Sequence, residues 1–264
     1  MNIRGDYMTY LEKSHIESAC KKMKGFYDQL QNLYSDFDLD LEENRGRRNI
    51  LMSQPMEHFV AQELRPFFKE VINDGRTGKA DILIKDGEVE IELECKLTSP
   101  HSSGTVAFQS DHETLQKKGS LDYIYIIANE TFDGFCAIHF SGLTTEDFRD
   151  LSTGARGKVQ MYKWKGMKKA KVLMGEVINN TDKLITGKTD LIGKVFRKNW
   201  EKCDKWKKAK ENLSEGQVYE RKKLQGQIER LNKNTSNRIN KIMKDIRILE
   251  ERNPSYTINF EAIK

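Results

Sequence analysis

The dipeptide Asp86-Gly87 lies between two runs rich in isoleucine, leucine and valine, and it constrains the fold more than any other feature of the chain. Asp-Gly in this setting predicts a two-residue β-hairpin turn of type I′, which requires positive φ at both central residues. A hairpin closed at this dipeptide would place Asp81 opposite Glu92 and diagonal to Glu94. Residues 79–96 are therefore expected to form two antiparallel strands.

The second strand of this hairpin alternates charged and apolar residues, and side chains alternate between the two faces of a strand. One face is therefore charged, and it carries Glu90, Glu92, Glu94 and Lys96. Asp81 joins this face from the neighbouring strand, and carboxylates gathered in this way repel one another unless a cation lies among them. Mg²⁺, which prefers oxygen ligands, suits such a cluster. The alternative is the solvated face of an amphipathic hairpin.

The spacing of these residues also carries a family resemblance. Asp81, twelve intervening residues and then Glu94-Cys95-Lys96 resemble the D-(x)n-(D/E)-x-K signature of the PD-(D/E)xK nuclease superfamily, which includes most type II restriction endonucleases. Ala80 stands where the signature has its nominal proline, which is dispensable in the family. The resemblance covers roughly residues 50 to 140. It implies a restriction-endonuclease-like α/β core and Mg²⁺-dependent hydrolysis of phosphodiester bonds in double-stranded DNA.

The same resemblance implies roles for individual residues. Asp81 and Glu94 would hold Mg²⁺, with Glu92 or Glu57 as a further ligand, since a helix before the hairpin often lends a carboxylate in this family. The ion would polarise the scissile phosphate and activate the water that attacks it in line. Lys96 would stabilise the charge that develops on the phosphate, or orient the water. For Glu57, a carboxylate in water near a helix N-terminus is the alternative.

Apolar residues at helical spacing predict a helix over residues 7–35 and another over 53–71. Ser53 is expected to cap the second helix, with Pro55 in its first turn. Between the two helices, residues 36–48 pass from acidic to basic and predict a loop.

Asp111 and Gly119 are typical start and stop residues for a short helix, which precedes a nearly continuous apolar run at 121–129. Such a run predicts a strand buried on both faces, and 135–140 predicts another strand. A hairpin, a crossover helix and a buried strand indicate an α/β (α+β) fold in which helices flank a mixed central sheet.

Residues 156–175 contain seven lysines and arginines and no acidic residue. Cations with interleaved aromatic residues are typical of a surface that contacts nucleic-acid phosphates, and a solvated basic loop is the alternative. The candidate DNA-binding residues in this segment are Arg156, Lys158, Lys163, Lys165, Lys168 and Lys169. The polar connection at 97–111 adds Ser103 and Gln109, because a loop after a catalytic strand tends to border the substrate.

A second basic cluster at 194–210 leads into apolar residues that recur with a heptad rhythm, from Leu224 to Leu249. The rhythm predicts a long helix that packs on another helix, either across a homodimer or within the chain, on the first helix or on 194–210. The predicted domains are therefore a nuclease core over 1–190 and a basic helical or coiled-coil extension over 191–264.

Several classes of protein are disfavoured because the sequence lacks their motifs. Four scattered cysteines form no CxxC, and neither HExxH, GxSxG nor a Walker motif occurs, which argues against zinc, a disulfide framework, a serine hydrolase and a nucleotide cofactor. No apolar run approaches the length of a membrane span, so we expect a cytoplasmic protein.

These observations favour a sequence-specific type II deoxyribonuclease that uses Mg²⁺, acts on duplex DNA and forms a homodimer. Two alternatives stay open. One is a non-catalytic DNA-binding or scaffold protein with a coiled coil, and the other is a structure-specific nuclease of repair or recombination.

Overall fold

The computed structural model describes residues 10–76, 79–151, 157–252 and 256–263. The chain forms two compact units, Met1–Ile178 with Tyr256–Lys264, and Asn179–Ser255. The second unit therefore starts before the predicted domain boundary at 190, and the last residues belong to the first unit. No helix in the described part of the chain is long and apolar enough to span a membrane.

Helix α1, Lys13–Ser35, begins later than the predicted residue 7. Glu12 and His15 form a reciprocal capping box that satisfies backbone donors at this end, so the chain enters the helix there. Tyr10 and Leu11 lie before the helix but are buried, as their apolar character predicts.

Helix α2, Arg45–Leu64, begins inside the segment that the sequence predicts to be a loop. Its N-cap is Asn44, whose side chain accepts a hydrogen bond from the backbone N–H of Arg47. Ser53, the expected cap, lies within the helix and donates its hydroxyl hydrogen to the carbonyl of Asn49, and Pro55 is also internal. The predicted boundaries 53–71 are thus wrong at both ends.

A seven-stranded mixed sheet forms the centre of the first unit. Strands β1 (Glu70–Asn73), β2 (Ile82–Asp86) and β3 (Val89–Thr98) are antiparallel neighbours. Helix α3, His112–Lys118, follows the short strand β4 (Gln109–Asp111) and leads to β5 (Leu121–Ala128), which is parallel to β3. Antiparallel to β5 is β6 (Gly134–Leu143), which also pairs with β8 (Ala170–Met174) and β11 (Glu261–Ala262). The predicted mixed sheet with flanking helices is confirmed.

The hairpin between β2 and β3 has a different register from the predicted one. Asp86 pairs with Val89, so Gly87 and Glu88 form the turn instead of Asp86 and Gly87. Gly87 has a φ of 65° and Glu88 has no positive φ, which matches a turn with glycine at its first central position, as in type II′. The new pairing preserves which residues share a face, and it continues to Ile82 opposite Leu93. The next position therefore brings Asp81 opposite Glu94 instead of Glu92.

Two apolar clusters cover the two faces of this sheet. Helices α1 and α2 pack on one face, where Leu93 and Cys95 of β3 are buried. On the other face, Leu115 of α3 packs with Tyr123 and Tyr125 of β5. The strand predicted at 121–129 is buried on both faces as expected.

The basic segment after residue 156 is folded rather than a loop. It contains strand β7 (Lys158–Gln160), which pairs antiparallel with β4, the short helix α4 (Lys163–Gly166), a 3₁₀ turn at Met167–Lys169 and strand β8. Strand β9 (Glu176–Asn179) then pairs with β10 (Tyr256–Asn259) in a separate two-stranded sheet.

The second unit is a pair of long helices, α5 (Asn180–Glu211) and α6 (Val218–Arg252). Hydrogen bonds join the two helices at three levels, among them Lys188 to Asp245 at 3.2 Å and Asn199 to Asn232 at 3.1 Å. On the predicted heptad seam of α6, the most buried residues are Ile228, Ile242 and Ile246. The seam packs within the chain on the helix that contains residues 194–210, which is the second of the two predicted arrangements.

Candidate functional site

Asp81 lies immediately before β2, at the point where the β2–β3 ladder ends. Its Oδ2 atom accepts a hydrogen bond of 2.8 Å from the backbone N–H of Cys95. This hydrogen bond continues the contact with β3 beyond the last residue pair of the ladder, and it holds the carboxylate of Asp81 against β3. The turn at Gly87 sets this position, because the register of a hairpin depends on its turn.

Glu94 and Lys96 project from the face of β3 that lies opposite the buried side chain of Cys95. The Nζ atom of Lys96 donates a hydrogen bond of 2.9 Å to Oε2 of Glu94 and lies 3.5 Å from Oδ2 of Asp81. Glu94 is almost completely buried, with 8% of its surface exposed. The three residues of the predicted motif therefore form one contiguous cluster, which we call the carboxylate–lysine cluster.

Ionisation in this cluster reflects a competition between burial and charge. Burial raises the pKa of Glu94, and the nearby charge of Lys96 opposes this effect. Burial alone would lower the pKa of Lys96, but Glu94 and Asp81 raise it above its usual range. Lys96 therefore remains a cation at neutral pH.

Glu57, on the central part of α2, belongs to the same electrostatic environment. Burial, followed by the charge of Asp81, raises the pKa of Glu57 to about 7, with Lys96 lowering it and Glu94 raising it further. The carboxyl group is thus close enough to interact with all three residues of the cluster. Since α2 starts earlier than predicted, Glu57 is not in the first helical turn, which removes the alternative of a carboxylate at a helix N-terminus.

Glu92, the other candidate ligand, has a different partner. Its carboxylate forms an ion pair with Lys118 of α3, and its register partner is Leu83 instead of Asp81. Of the two carboxylates predicted to complete the cluster, Glu57 interacts electrostatically with Asp81 and Glu94, whereas Glu92 is paired with a lysine.

A second layer of polar residues supports the cluster, and the sequence did not single it out. In the parallel register of β3 and β5, Tyr123 lies beside Glu94 and Tyr125 beside Lys96. Tyr125 donates its hydroxyl hydrogen to the carbonyl of Gln109 at 2.7 Å, and the hydroxyl groups of Tyr123 and Ser110 are 2.6 Å apart. The two tyrosines thus connect the cluster to β4. The sequence predicts that both tyrosines lie in a buried strand. It does not predict their proximity to Glu94 and Lys96, because the pairing of β5 with β3 is a tertiary contact.

Strands β4 and β7 form a short ribbon beside the cluster. Ser110 and Val159 are buried, so Gln109, Asp111 and Lys158 lie on the outer face, with Asp111 paired to Lys158 and Gln109 to Gln160. A hydrogen bond from the backbone of Thr114 lowers the pKa of Asp111, and the charge of Lys96 contributes to this shift. The ribbon therefore brings one predicted DNA-binding lysine and Gln109 to the neighbourhood of the cluster.

The other predicted DNA-binding residues have separate surroundings. Lys165 donates to the carbonyl of Glu146 at 2.8 Å, and Lys169 forms an ion pair of 2.7 Å with Asp147. Lys168 is exposed above the ring of Trp164.

Lys163 is half-buried, and burial, with a contribution from Arg149, lowers its pKa. Ser103 is exposed and its hydroxyl lies 2.8 Å from that of Thr105. Arg156 lies outside the described residues.

The donor set of the cluster is suited to a hard cation. Asp81, Glu94 and Glu57 offer only oxygen ligands. The pKa of Glu57 is raised mainly by burial and next by the charge of Asp81, and a bound cation would favour the ionised form of all three carboxyl groups. In the described residues no three aspartate, glutamate, histidine or cysteine side chains already surround one point as ligands would. The ammonium group of Lys96 lies between the carboxylates of Asp81 and Glu94. The residue types therefore fit Mg²⁺, whereas binding requires some rearrangement of side chains.

Comparison of the chain with family models, with curated proteins and with solved structures gave no match. The resemblance to the nuclease superfamily therefore rests on the residues of the motif.

Proposed function

We propose that the chain is a Mg²⁺-dependent endonuclease that hydrolyses double-stranded DNA, of the type II restriction kind and with a restriction-endonuclease-like core. One observation carries the proposal, namely the convergence of Asp81, Glu94 and Lys96 into one cluster at the end of a hairpin. Alternation along β3 alone would produce a charged strand face, but it would not bring Asp81 to Glu94. The added carboxyl group of Glu57 strengthens the case, because it comes from a separate helix.

Each residue of the cluster has a distinct role in this proposal. Asp81 and Glu94 would bind Mg²⁺, with Glu57 as the third carboxylate. When bound there, Mg²⁺ would supply Lewis-acid activation of the phosphate and of the attacking water. Lys96 would stabilise the negative charge that develops on the phosphate, since its raised pKa keeps it protonated and prevents it from acting as a base.

Two features around the cluster support a nucleic-acid substrate. Lys158 and Gln109 on the β4–β7 ribbon provide a cation and an amide next to the cluster. The mixed sheet with helices α1 and α2 on one face and α3 on the other agrees with the core that the motif implies. A homodimer would have to use a surface other than the heptad seam, because α5 covers that seam.

A non-catalytic DNA-binding protein is the second candidate, and one specific observation favours it. Lys96 already neutralises part of the charge on Asp81 and Glu94, as a purely structural ion-pair network would. In this alternative the cluster stabilises the hairpin, and no cleavage occurs at any metal concentration.

Cleavage of a mixed pool of genomic and phage DNA, with Mg²⁺, with Mn²⁺ or with EDTA, tests the proposal. We expect discrete DNA ends with either metal, none with EDTA, and no cleavage by Asp81→Asn or Glu94→Gln. Sequencing of the ends would identify the recognised sequence. Linear duplexes compared with branched junctions separate restriction from repair or recombination.

Glu90→Gln is a matched control, because Glu90 is an exposed carboxylate on the same face of β3. Its cleavage rate should equal that of the wild type. Cleavage at the wild-type rate by either Asp81→Asn or Glu94→Gln excludes the assignment of the cluster as the catalytic site.

A further inference from the structure

Helix α3 lies along the charged face of β3. It begins near the carboxylate–lysine cluster, since the charge of Lys96 acts on Asp111, the N-cap of α3. Its last residue, Lys118, forms an ion pair with Glu92 on the same face of β3. The helix thus brings a further cation to this face, at a position two strand residues away from Glu94.

Strand geometry gives the position of this ion pair relative to the proposed metal site. Glu92 and Glu94 are successive residues on one face of β3, so their Cα atoms are about 7 Å apart. This distance is close to the separation of neighbouring phosphates along a nucleic-acid strand. A DNA strand that passes along β3 with one phosphate at Glu94 would therefore have the next phosphate near Lys118.

The ammonium group of Lys118 is accessible to such a phosphate. The exposed fraction of the side chain is 26% for Lys118 and 31% for Glu92, compared with 10% for Glu94. A lysine ammonium group has three N–H donors, and within the described residues Glu92 is its hydrogen-bond partner. Two donors are therefore left for a phosphate.

We propose that Lys118 binds the DNA phosphate next to the one that is cleaved, and that Glu92 positions the ammonium group for this contact. The proposal rests on the proposed nuclease function, because that function places the cleaved phosphate at Glu94. Lys118 would contact the substrate and the transition state equally, whereas Lys96 would act on charge that develops during cleavage. The two lysines therefore have different roles on one strand face.

The alternative is a purely structural ion pair that attaches α3 to the sheet. The helix already has two other attachments, since Leu115 is completely buried and the side chain of Asp111 caps the first turn. A partly exposed ion pair adds little to such packing. The two roles differ in their effect on DNA binding.

DNA affinity is measured with a fluorescein-labelled duplex of random sequence and with Ca²⁺ in place of Mg²⁺, and gel electrophoresis confirms that the DNA stays intact. Lys118→Gln should weaken binding about tenfold and lower the slope of log affinity against log salt by about one. Glu92→Gln should strengthen binding about threefold, because it removes a negative charge that repels the phosphate.

The double variant Glu92→Gln with Lys118→Gln separates a direct contact from a balance of charge. Its net charge equals that of the wild type. If Lys118 only offsets the charge of Glu92, the double variant should bind DNA as the wild type does. Because we infer a direct contact, we expect its affinity to stay about threefold below that of the wild type.

A neutral methylphosphonate on either side of the cleaved phosphate locates the contact. One of these two replacements should weaken binding by the wild type about tenfold. The same replacement should change binding by Lys118→Gln less than twofold, since the contact is already lost in that variant.

Lys117→Gln and Glu113→Gln are matched controls. Lys117 precedes Lys118 on α3 and forms its own ion pair with Glu113, in which both side chains are 78% exposed. Each control should change the affinity for DNA less than twofold. Thermal unfolding of every variant checks that the fold is intact.

Steady-state cleavage with Mg²⁺ distinguishes a failure of this inference from a failure of the nuclease function. Lys118→Gln should raise KM about tenfold and leave kcat within about twofold of the wild type, because it removes a contact common to substrate and transition state. No cleavage by the wild type, with DNA binding that still depends on Lys118, would overturn the nuclease function alone. Cleavage by the wild type, with unchanged DNA affinity in Lys118→Gln or wild-type affinity in the double variant, would overturn the role of Lys118 alone.

Discussion

The carboxylate of Asp81 accepts a hydrogen bond of 2.8 Å from the backbone N–H of Cys95, at the residue between Glu94 and Lys96. One interaction thus joins the end of the β2–β3 ladder to the centre of the candidate site. Asp81 therefore has two distinct properties. Its side-chain oxygen accepts a hydrogen bond, and its carboxylate carries a negative charge. The first contributes to the fold, and the second is required for metal binding in the proposed function.

These two properties can be separated by substitution. Asp81→Ala leaves the N–H of Cys95 without its acceptor and should lower the free energy of unfolding by about 1 to 2 kcal/mol. Asp81→Asn retains a side-chain oxygen that can accept the bond and should lower it by less than about 0.5 kcal/mol. Urea denaturation measures both values, and we expect cleavage to be lost in both variants. Equal stability of the two variants would show that the hydrogen bond does not contribute.

The hairpin shows which structural features the sequence predicts correctly and which it does not. The alternation along β3 correctly predicts which residues share a face, because it depends only on the geometry of a strand. The exact pairing depends on whether Asp86 or Glu88 accompanies Gly87 in the turn, and two hairpin turn types are compatible with that glycine. The predicted pair of Asp81 with Glu92 was therefore wrong by two residues, although Asp81 still reached the charged face.

Helix α2 shows a second limit of the sequence. Ser53 and Pro55 resemble a helix start, but Asn44 provides the actual cap. The basic residues that follow Asn44 suggested an exposed loop, whereas Arg48 is completely buried. Its burial depends on acceptors about 50 and 80 residues away in the chain, Ser99 and the carbonyl of Asn129, which local patterns do not reveal.

Arg48 should therefore be important for stability. Its guanidinium group donates 3.0 Å hydrogen bonds to Ser99 and to the carbonyl of Asn129, and it lies 5.0 Å from the ring centroid of Phe132. Arg48→Met keeps much of the apolar packing but removes the donors, so we expect a loss of about 2 kcal/mol in the free energy of unfolding. Arg47→Met, at an exposed position of the same helical turn, should change it by less than about 0.5 kcal/mol. Similar losses in the two variants would contradict the assigned role of Arg48.

The third carboxylate of the site can be identified by metal titration. Glu57 interacts with Asp81 and Glu94, whereas Glu92 is paired with Lys118. We expect Glu57→Gln to weaken Mn²⁺ binding at least tenfold and Glu92→Gln to change it by less than twofold. Isothermal titration calorimetry measures both affinities. The opposite order would make Glu92 the ligand.

Glu57 should also make stability depend on pH in the absence of divalent ions. Its pKa is about 7 in the folded chain and has the ordinary value of 4.5 after unfolding, mainly because burial disfavours the charged form. Between these values the folded state binds more protons than the unfolded state, so Glu57 lowers stability as the pH rises through this window. Glu57→Gln lacks the ionisation and should match the wild type below pH 4.5.

Above pH 7 we expect Glu57→Gln to be more stable than the wild type by about 1 kcal/mol, a value reduced for the solvent screening of this half-exposed group. Urea denaturation at several pH values in EDTA measures the difference. A difference that does not vary between pH 4.5 and pH 7 would contradict the shifted pKa.

Gln109 is the residue of the β4–β7 ribbon that we expect to influence sequence preference. Its backbone carbonyl is fixed by Tyr125, the register neighbour of Lys96, while its side chain is exposed and therefore directed away from the protein. A glutamine amide can form two hydrogen bonds with adenine in the major groove, and a good bidentate contact distinguishes bases by about 1 to 3 kcal/mol. Gln109→Ala should therefore relax the preference at one position of the cleaved sequence by roughly tenfold, with little change at the others. Sequencing of cleaved ends from a randomised duplex library measures the base preference at each position. Ser103→Ala, on an exposed loop, is the control. An unchanged preference in Gln109→Ala would exclude the ribbon as an element that contacts bases.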